Sequence, residues 1–382
     1  MTSATMDTTE QVRDRVRDAG ARGTSVRITG RGTWIDAGRA VRATTELSTR
    51  DLSGIVAYVP GDLTLTARAG TTLAELREAT APHNQWLALD PHGSDDGTLG
   101  ATVATASTGP LSTAFGAPRD LVLGIEFVTG AGAIARGGGR VVKNVAGFDL
   151  ARLFTGSWGT LGVITEVTVR LHARPSADAS FAVELPNGAE DVERVRNALR
   201  QAPFIPYACE ILNEHLSRTL IGGETDAAIF RLGGNAEAVE AQRRALEAIG
   251  TPREVDANVW TRLRAVEPEG AIVFRLSRAG SEIAGIWTEA QAILHGCPGA
   301  MIHARPARGI VRVIVPRDER SIAQLRVGLA ARAIAKRVGE RMPNDLWPLI
   351  GPSATADDLS TRMKQAFDPR RVLNPGIFGE PT

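Results

Sequence analysis

Cysteine is scarce in this sequence, since the 382 residues include only Cys209 and Cys297. Two thiols cannot build a disulfide framework, a zinc cluster or a four-thiolate iron–sulfur site from this chain alone. Histidine is rare as well, and the six histidines form no close pair at i, i+2 or i+4 spacing beside acidic residues. The sequence therefore predicts no metal site.

An excess of charge of one sign is also missing. The chain has 44 basic and 43 acidic residues, which leaves too weak a field for nucleic-acid binding. No apolar run approaches the roughly 20 residues of a membrane-spanning helix. The first 20 residues carry acidic side chains where a secretion signal has an apolar core. We expect a cytoplasmic protein, free or held at the inner face of the membrane through partners, that binds no nucleic acid.

The length of the chain predicts two or three compact units. We place them at residues 1–175, 180–345 and 346–382, because Arg174-Pro175 ends a strand and a Pro- and Gly-punctuated segment closes the chain. Alternation and turn residues predict the elements of the first unit. These are strands Ile55 to Val59, Leu63 to Ala69, Leu121 to Thr129 and Val163 to Leu171, and helices Thr72 to Ala79 and Val141 to Phe154.

The second unit has a repeated rhythm. Its pattern predicts a β-α-β-β-α order over residues 181–249 and again over residues 271–338, where the last helix is expected to run from Ser321 to Val338. Two split-βαβ halves on one shared sheet would account for the repetition. One helix, Asp357 to Ala366, is expected in the third unit, and Trp347 to Ile350 is either a docking surface or ordinary core.

Three glycine-rich segments are the candidates for chemistry. The first, Val26 to Trp34, reads as a strand that enters a loop whose backbone N–H groups suit a pyrophosphate. In the second, Gly97 to Thr105, small residues allow a flat ring or phosphate to touch the main chain, and the run Thr98 to Thr108 looks poor as an amphipathic helix. The third joins Lys143 to Asp149 with Gly156 to Thr165. Exposed turns and small-residue packing are the alternatives.

A fourth glycine pattern is misleading. Gly130 to Ala135 follows a strand and fits GxGxxA, with Asp149 near the spacing of a dinucleotide fingerprint. That fingerprint must open a helix, whereas the glycine run 137–139 follows here after one turn. We therefore predict a hairpin at this position rather than a nucleotide site.

In their order along the chain, these segments resemble the FAD-binding domain of the vanillyl-alcohol-oxidase/PCMH flavoprotein family. The motifs Phe367-Asp368-Pro369 and Leu373-Asn374-Pro375-Gly376 are similar to the C-terminal signature of that family, which returns to the flavin. The resemblance implies an α+β fold in which a PCMH-type FAD-binding domain of two α/β subdomains carries a ferredoxin-like α+β cap.

The resemblance also implies a set of FAD-binding residues. They are Thr29, Gly30, Arg31, Gly32, Thr33, Pro91, Gly97, Thr98, Leu99, Gly100, Thr105, Lys143, Asn144, Gly147, Asp149, Gly159, Thr160, Gly162, Val163, Ile164 and Asn374. The first loop holds no histidine or cysteine, so FAD is expected to be bound non-covalently.

Within the family, residues 142–162 resemble the smaller FAD-binding subunits of bacterial glycolate oxidases. This implies an FAD-dependent oxidoreductase that takes a hydride from a small 2-hydroxy acid, with a second flavoprotein subunit and an iron–sulfur subunit as partners. A base and a carboxylate-binding cation are needed, for which His303, Arg305 and Arg308 are candidates. A self-sufficient FAD oxidase of an alcohol or sugar, and a non-catalytic FAD-binding scaffold or electron relay, remain alternatives.

Overall fold

Two large antiparallel sheets organise the chain, which a computed structural model describes over residues 3–139, 148–331, 335–351 and 357–379. One sheet has five strands and the other eight. The described residues also form a three-stranded and a two-stranded sheet. Helices lie between the strands along the whole sequence. The fold is α+β, as predicted.

The five-stranded sheet and the two small sheets come from residues 3–173, which we call the N-terminal part. Its strands are β1 (Ser3–Thr5), β2 (Val26–Thr29), β3 (Thr45–Ser48), β4 (Ile55–Val59), β5 (Thr64–Arg68), β6 (Gln85–Trp86), β7 (Val122–Thr129), β8 (Ile134–Gly138), β9 (Gly162–Arg170) and β10 (His172–Ala173). Its helices are α1 (Thr9–Arg22), α2 (Leu73–Thr80), α3 (Leu99–Thr105), α4 (Ser112–Phe115), α5 (Pro118–Leu121) and α6 (Leu150–Phe154).

The four strands predicted for the N-terminal part are present, and all lie in the five-stranded sheet. The large sheet runs β4-β5-β9-β7-β8, and the parallel sheet β1-β3-β2 lies beside it. Strands β7 and β8 pair as an antiparallel hairpin, which confirms that the GxGxxA pattern does not open a helix. Phe127 and Phe154 stack in the core with their ring centroids 3.8 Å apart. Of the helix predicted from Val141, residues 150–154 are helical, and residues 140–147 lie outside the described residues.

Helix α3 corrects the expectation that the small-residue run is a poor helix. Thr98 caps it by accepting from the N–H of Ala101, and Thr102 and Thr105 donate back to carbonyls one turn earlier. A Cβ on Gly100 would lie 2.6 Å from the Cβ of Ala69. Small-residue packing, one of the alternatives in the sequence analysis, therefore accounts for Gly100, because the helix packs closely on the sheet there.

The eight-stranded sheet comes from residues 177–341, which we call the cap. Its strands are β11 (Ala177–Leu185), β12 (Ala208–Leu212), β13 (Asp226–Gly234), β14 (Arg253–Val255), β15 (Ile272–Ser277), β16 (Met301–Arg305), β17 (Ile310–Val315) and β18 (Lys336–Arg341). The helices from here onward are α7 (Ala189–Gln201), α8 (Glu214–Ile221), α9 (Ala236–Ala245), α10 (Val259–Arg264), α11 (Ile283–Ile293), α12 (Glu319–Ala331), α13 (Trp347–Ile350) and α14 (Asp358–Phe367).

The cap consists of two similar halves, as the repeated rhythm predicted. The strand order is β14-β11-β13-β12-β16-β17-β15-β18, so each half has its four strands in the order 4-1-3-2. This is the ferredoxin-like arrangement. Strands β12 and β16 join the halves at the centre of the sheet.

One prediction for the cap was wrong. Of the helix expected from Ser321 to Val338, residues 321–331 are helical, whereas residues 336–341 form β18, which pairs with the edge of β15. A tertiary contact outweighs the local pattern there. Of the two alternatives for Trp347, the burial favours core: Trp347 is 7% exposed, packs against Gly339 and lies under the guanidinium of Arg39.

The two faces of the cap sheet differ in chemistry. Side chains alternate along a strand, so neighbours in sequence point to opposite faces. Residues such as Ile211, Ala304 and Val313 form one apolar core with helices α7, α9, α11 and α12. On the opposite face α8 and α10 cover part of the surface with a second apolar cluster. The remainder of that face is polar and lies towards the N-terminal part.

The C-terminal segment returns to the N-terminal part. Leu373 bridges to Val26 in parallel, and the Val26 N–H donates to the Val372 carbonyl at 2.8 Å. Asp368, which is fully buried, accepts from Lys364 Nζ at 2.8 Å and from the N–H groups of Val372 and Leu373 at 3.0 and 2.9 Å. This carboxylate holds the turn that directs the chain back to β2.

Asp368→Ala is expected to lower the free energy of unfolding by about 2–4 kcal/mol, because it leaves the buried N–H groups of Val372 and Leu373 without their acceptor and removes the carboxylate partner of the Lys364 ammonium. Urea denaturation with intrinsic fluorescence measures the change. The matched control is Asp358→Ala on the exposed first turn of α14, which should cost at most about 1 kcal/mol. Equal losses in the two variants would contradict this role for Asp368.

Candidate functional site

The loop after β2 presents unpaired backbone donors. Within the described residues, the N–H groups of residues 30–33 donate to no protein acceptor, while the N–H of Ile35 closes a turn onto Gly32. Gly32 has φ 79°, and a Cβ added there would meet open space. Free N–H groups beside a positive-φ glycine are a feature of backbone anion sites, so this loop is a candidate for binding a pyrophosphate.

A narrow cavity of about 120 Å³ opens beside this loop. Eleven of the predicted FAD-binding residues line it. They are Thr29, Gly30, Arg31, Gly32, Thr33, Gly100, Thr105, Gly159, Gly162 and Ile164, and Asn374 from the C-terminal segment. Sequence reasoning missed Ala101, Ala104 and Trp158, which also line it. Eight of the 22 described lining residues are glycine or alanine, so the main chain itself forms part of the wall.

Left-handed backbone is concentrated at one wall of the narrow cavity. Trp158, Gly159 and Asn374 have φ of 52°, 68° and 44°. The Asn374 side chain holds them together, since Nδ2 donates to the Trp158 carbonyl at 2.7 Å and Oδ1 accepts from the Ile28 N–H at 2.8 Å. Such conformations cost free energy in non-glycine residues and are characteristic of binding sites.

The other predicted residues have different positions. Leu99 and Val163 are in the apolar core, Thr98 caps α3, and Thr160 donates to the Ser157 carbonyl. The carbonyl of Pro91 accepts from Arg264 of the cap, and Gly97 donates to the Ser94 carbonyl. Asp149 caps α6 at an exposed position. Lys143, Asn144 and Gly147 lie outside the described residues.

A wide cavity of about 660 Å³ adjoins the narrow one and lies between the N-terminal part and the cap. The two cavities share Trp34, Thr105, Trp158 and Ile377. Among the described residues that line the wide cavity, six are basic and two acidic: Arg39, Arg275, Arg305, Arg312, Lys336 and Arg337, with Glu210 and Glu340. This excess favours an anionic ligand.

A buried ion cluster forms the cap side of the wide cavity. Glu210 is fully buried; its Oε2 lies 2.8 Å from His303 Nδ1 and its Oε1 accepts from Arg305 Nε at 2.8 Å. Burial alone would raise the pKa of Glu210, but Arg305 and His303 outweigh burial and lower it to about 2. Arg305 also donates to Ser112 Oγ at 2.9 Å, which joins the cap to the N-terminal part.

The three catalytic candidates thus differ in position. His303 and Arg305 line the wide cavity, whereas Arg308 is not among its lining residues and donates to the Ser112 carbonyl. Sequence reasoning missed Glu210 and Arg312, which lie in the same cluster of cavity residues. A detectable signal was present, because each is a charged residue between two apolar neighbours in a buried strand.

Two histidines face each other across this cavity. The ring centroids of His92 and His303 are 5.2 Å apart. Burial, and then the charge of Arg312, depress the pKa of His92 well below its usual value, so that ring is neutral. Within the described residues, His303 Nε2 and His92 Nδ1 have no hydrogen-bond partner. No group of three or more histidine, cysteine or acidic residues in the described ranges could hold a metal ion.

Comparison with known proteins gives the family. A family model described as an FAD binding domain matches residues 3–138. Glycolate oxidase subunit GlcE of Escherichia coli (strain K12) is 36% identical over 259 residues, which span 67% of this chain and 67% of that protein. This chain belongs to the vanillyl-alcohol-oxidase/PCMH flavoprotein family. FAD is its cofactor, and it is an FAD-binding oxidoreductase.

Further matches agree with this flavoprotein family. A D-lactate dehydrogenase of Archaeoglobus fulgidus is 33% identical over 147 residues, which cover 38% of this chain. The matched region is 32% of that protein, so the chain spans about a third of its length. The solved structure of p-cresol methylhydroxylase with substrate bound has a TM-score of 0.75 at 18% identity, covering 99% of this chain and 88% of that one, and shows the same fold.

Among the described residues no helix is long and apolar enough to span a membrane.

We expect Ala104→Leu to reduce the FAD content of the purified flavoprotein at least about 10-fold, because side-chain overlap with a ligand costs more than ~1.4 kcal/mol. Leucine favours helix and should leave α3 folded. Flavin absorbance after denaturation measures the content. Ala236→Leu, at the exposed first residue of α9, is the control. Unchanged FAD content in Ala104→Leu would argue against the narrow cavity as the binding site.

A pH effect is expected at Asp90, which is buried and accepts from the Leu111 N–H at 3.0 Å. Burial raises its pKa from 3.8 to about 6, although Arg264 opposes this shift. Between those values the folded state binds more protons than the unfolded state, so stability falls as pH rises through this range. Asp90→Asn cannot ionise. Its free energy of unfolding should therefore gain about 3 kcal/mol relative to wild type between pH 4 and pH 7, as measured in urea. A flat difference would contradict the shift.

Proposed function

We propose that this chain is the FAD-dependent subunit of an oxidase or dehydrogenase of a small 2-hydroxy acid such as glycolate. The observation that carries the proposal is His303 Nε2, a buried ring nitrogen without a protein partner, in a basic cavity that adjoins the glycine-lined one. The printed names of the relatives, a glycolate oxidase subunit and a D-lactate dehydrogenase, support the same substrate class.

In this proposal residues 1–175 bind FAD, residues 180–345 cover it, and residues 346–382 return to it. The free N–H groups of residues 30–33 would hold the pyrophosphate, and the small residues of α3, Gly159 and Asn374 would flank the cofactor. When bound, FAD supplies the hydride acceptor. Binding would be non-covalent, since residues 29–33 include no histidine or cysteine that could form a bond to the flavin.

The wide cavity supports a catalytic role rather than a scaffold role. A general base must lie within reach of the proton that it removes, and His303 has a free ring nitrogen there. Arg305 is engaged by Glu210 and Ser112, so it holds the cluster together. Arg308 binds the Ser112 carbonyl and is not among the cavity residues, so it serves the contact between cap and N-terminal part.

In this proposal electrons leave the reduced cofactor through other proteins. Two cysteines cannot ligate an iron–sulfur cluster. We therefore include a second flavoprotein subunit and an iron–sulfur subunit in the proposal, with the assembly in the cytoplasm or at the inner face of the membrane. The resemblance to glycolate oxidase subunits supports these partners.

The test is anaerobic mixing of the FAD-loaded chain with glycolate or D-lactate. We expect loss of flavin absorbance, because hydride transfer to FAD needs no acceptor protein. Acid should then release all the flavin into the supernatant. Co-purification from the native host, followed by dye reduction with and without partners, tests the subunit role. Full turnover with oxygen by the isolated chain would favour a self-sufficient oxidase, and no reduction by any 2-hydroxy acid would overturn the proposed substrate class.

A further inference from the structure

We propose that Arg312 binds the substrate carboxylate and that Glu210 orients His303 so that its Nε2 atom accepts the substrate hydroxyl proton. This inference rests on the proposed function and names the residues that select its substrate class. It assigns roles to Arg312 and Glu210, which are not among the residues predicted from the sequence.

Strand register places the base and the cation side by side. His303 in β16 and Arg312 in β17 are direct antiparallel partners. Residues opposite each other on antiparallel strands have Cβ atoms about 5 Å apart and point to the same face. Both side chains line the wide cavity. One small ligand can therefore contact both.

Arg312 has one free nitrogen in a buried guanidinium. Its Nε and Nη2 donate to Glu340 Oε2 at 2.8 and 2.7 Å, and Nη2 lies 2.7 Å from Glu267 Oε1. Nη1 is buried and has no acceptor within the described residues. A buried donor without a partner is costly, so the position calls for an acceptor that the protein does not supply. A ligand carboxylate oxygen meets that need.

Among the described residues Glu340 and Glu267 are the acidic neighbours of the Arg312 guanidinium, and of the two Glu340 lines the wide cavity. Arg312 binds Glu340 directly and Arg275 lies 3.8 Å away. Burial alone would raise the pKa of Glu340, but the charges of Arg312 and Arg275 outweigh burial and lower it. Glu340 is therefore ionised and engaged by cations, and the six basic residues of the cavity outweigh the two acidic ones.

Glu210 contacts the Nδ1 atom of His303 and leaves the Nε2 atom free for a ligand. Its carboxylate lies 2.8 Å from Nδ1, so Nδ1 carries the proton and Nε2 presents a lone pair to the cavity. Arg305 fixes the other carboxylate oxygen, which prevents rotation of Glu210. Because Glu210 stays ionised, it stabilises the imidazolium that forms when Nε2 takes a proton. Glu210 is thus a positioning residue, and His303 is the catalytic base.

The proposed step oxidises the hydroxyl-bearing carbon of the substrate. The hydroxyl O–H bond breaks and its proton passes to His303 Nε2. The C–H bond on the same carbon breaks and its hydrogen leaves with two electrons as a hydride to FAD. A carbonyl double bond forms, so the 2-hydroxy acid becomes a 2-oxo acid while FAD is reduced. Arg312 holds the carboxylate throughout.

Ligand binding tests Arg312 separately from turnover. The probe is oxalate, a carboxylate without a C–H bond to oxidise, titrated against the flavin absorbance of the FAD-loaded chain. We expect Arg312→Met to weaken oxalate binding about 10- to 100-fold, the loss of a charge-assisted hydrogen-bonded pair, with FAD content unchanged. Arg312→Lys should recover part of the affinity. Arg231→Met is the matched control, since Arg231 is ion-paired with Asp178 in the same sheet but does not line the wide cavity.

Rapid mixing with glycolate tests the base and its positioning. His303→Gln should slow flavin reduction about 100- to 10,000-fold with little change in oxalate affinity. Glu210→Gln should slow reduction in the same direction, also without loss of oxalate affinity, and Glu210→Asp should restore part of the rate. Added imidazole should partly rescue His303→Ala. Glu126→Gln controls for the loss of a buried glutamate paired with arginine outside both cavities.

Different results separate this inference from the proposed function. If wild-type FAD is reduced by glycolate but Arg312→Met and Arg312→Lys both bind oxalate as wild type does, the carboxylate role is wrong. Wild-type reduction rates in Glu210→Gln overturn the positioning role. If no 2-hydroxy acid reduces the wild-type flavin, the proposed function fails, while Arg312-dependent oxalate binding would still establish a carboxylate site. Flavin content and circular dichroism identify a variant that is misfolded. In that case the result for the conservative variant, Arg312→Lys or Glu210→Asp, decides whether the proposed role is correct.

Discussion

The ion pair between Glu210 and Arg305 is the interaction on which the rest of the site depends. A carboxylate without exposure in a protein interior is tolerated only when its charge and lone pairs are satisfied. Removal of one partner from such a pair typically costs about 3–5 kcal/mol, because the other charge remains buried. Arg305 also reaches Ser112. The same guanidinium therefore neutralises Glu210 and is one of the contacts that join the cap to the N-terminal part beside the wide cavity.

The narrow cavity follows a different physical rule, which is close approach of backbone. Gly100 is small because Ala69 lies beneath it, and Gly162 is small because a Cβ would meet the Val128 carbonyl at 2.7 Å. These glycines are required by packing of the protein on itself. Gly32 has a positive φ and open space before it. The glycines of these motifs thus satisfy two separate demands, close packing at Gly100 and Gly162 and a left-handed backbone at Gly32.

Much of the fold could be predicted from the sequence because the signals are local. Alternation located the strands, glycine spacing located the loop after β2, and the repeated rhythm of the cap indicated two halves. Helix α3 and strand β18 were missed since each depends on a partner distant in sequence, Ala69 for the helix and β15 for the strand. Glu210 and Arg312 each show a local signal, a charge in an apolar strand, but their partners become known only from the register of neighbouring strands.

The buried ion cluster lies where strands β12 and β16 join the two cap halves, so its formation depends on late steps of folding. Glu210 comes from the first half, and His303 and Arg305 come from the second, 93 and 95 residues later, while Ser112 precedes Arg305 by 193 residues. Contacts between such distant residues carry a large loop-closure entropy and form after local structure. The cluster is therefore complete only when both halves have docked on each other and on the N-terminal part. An incompletely folded chain lacks the oriented His303, so a site built on this cluster would exist only in the finished molecule.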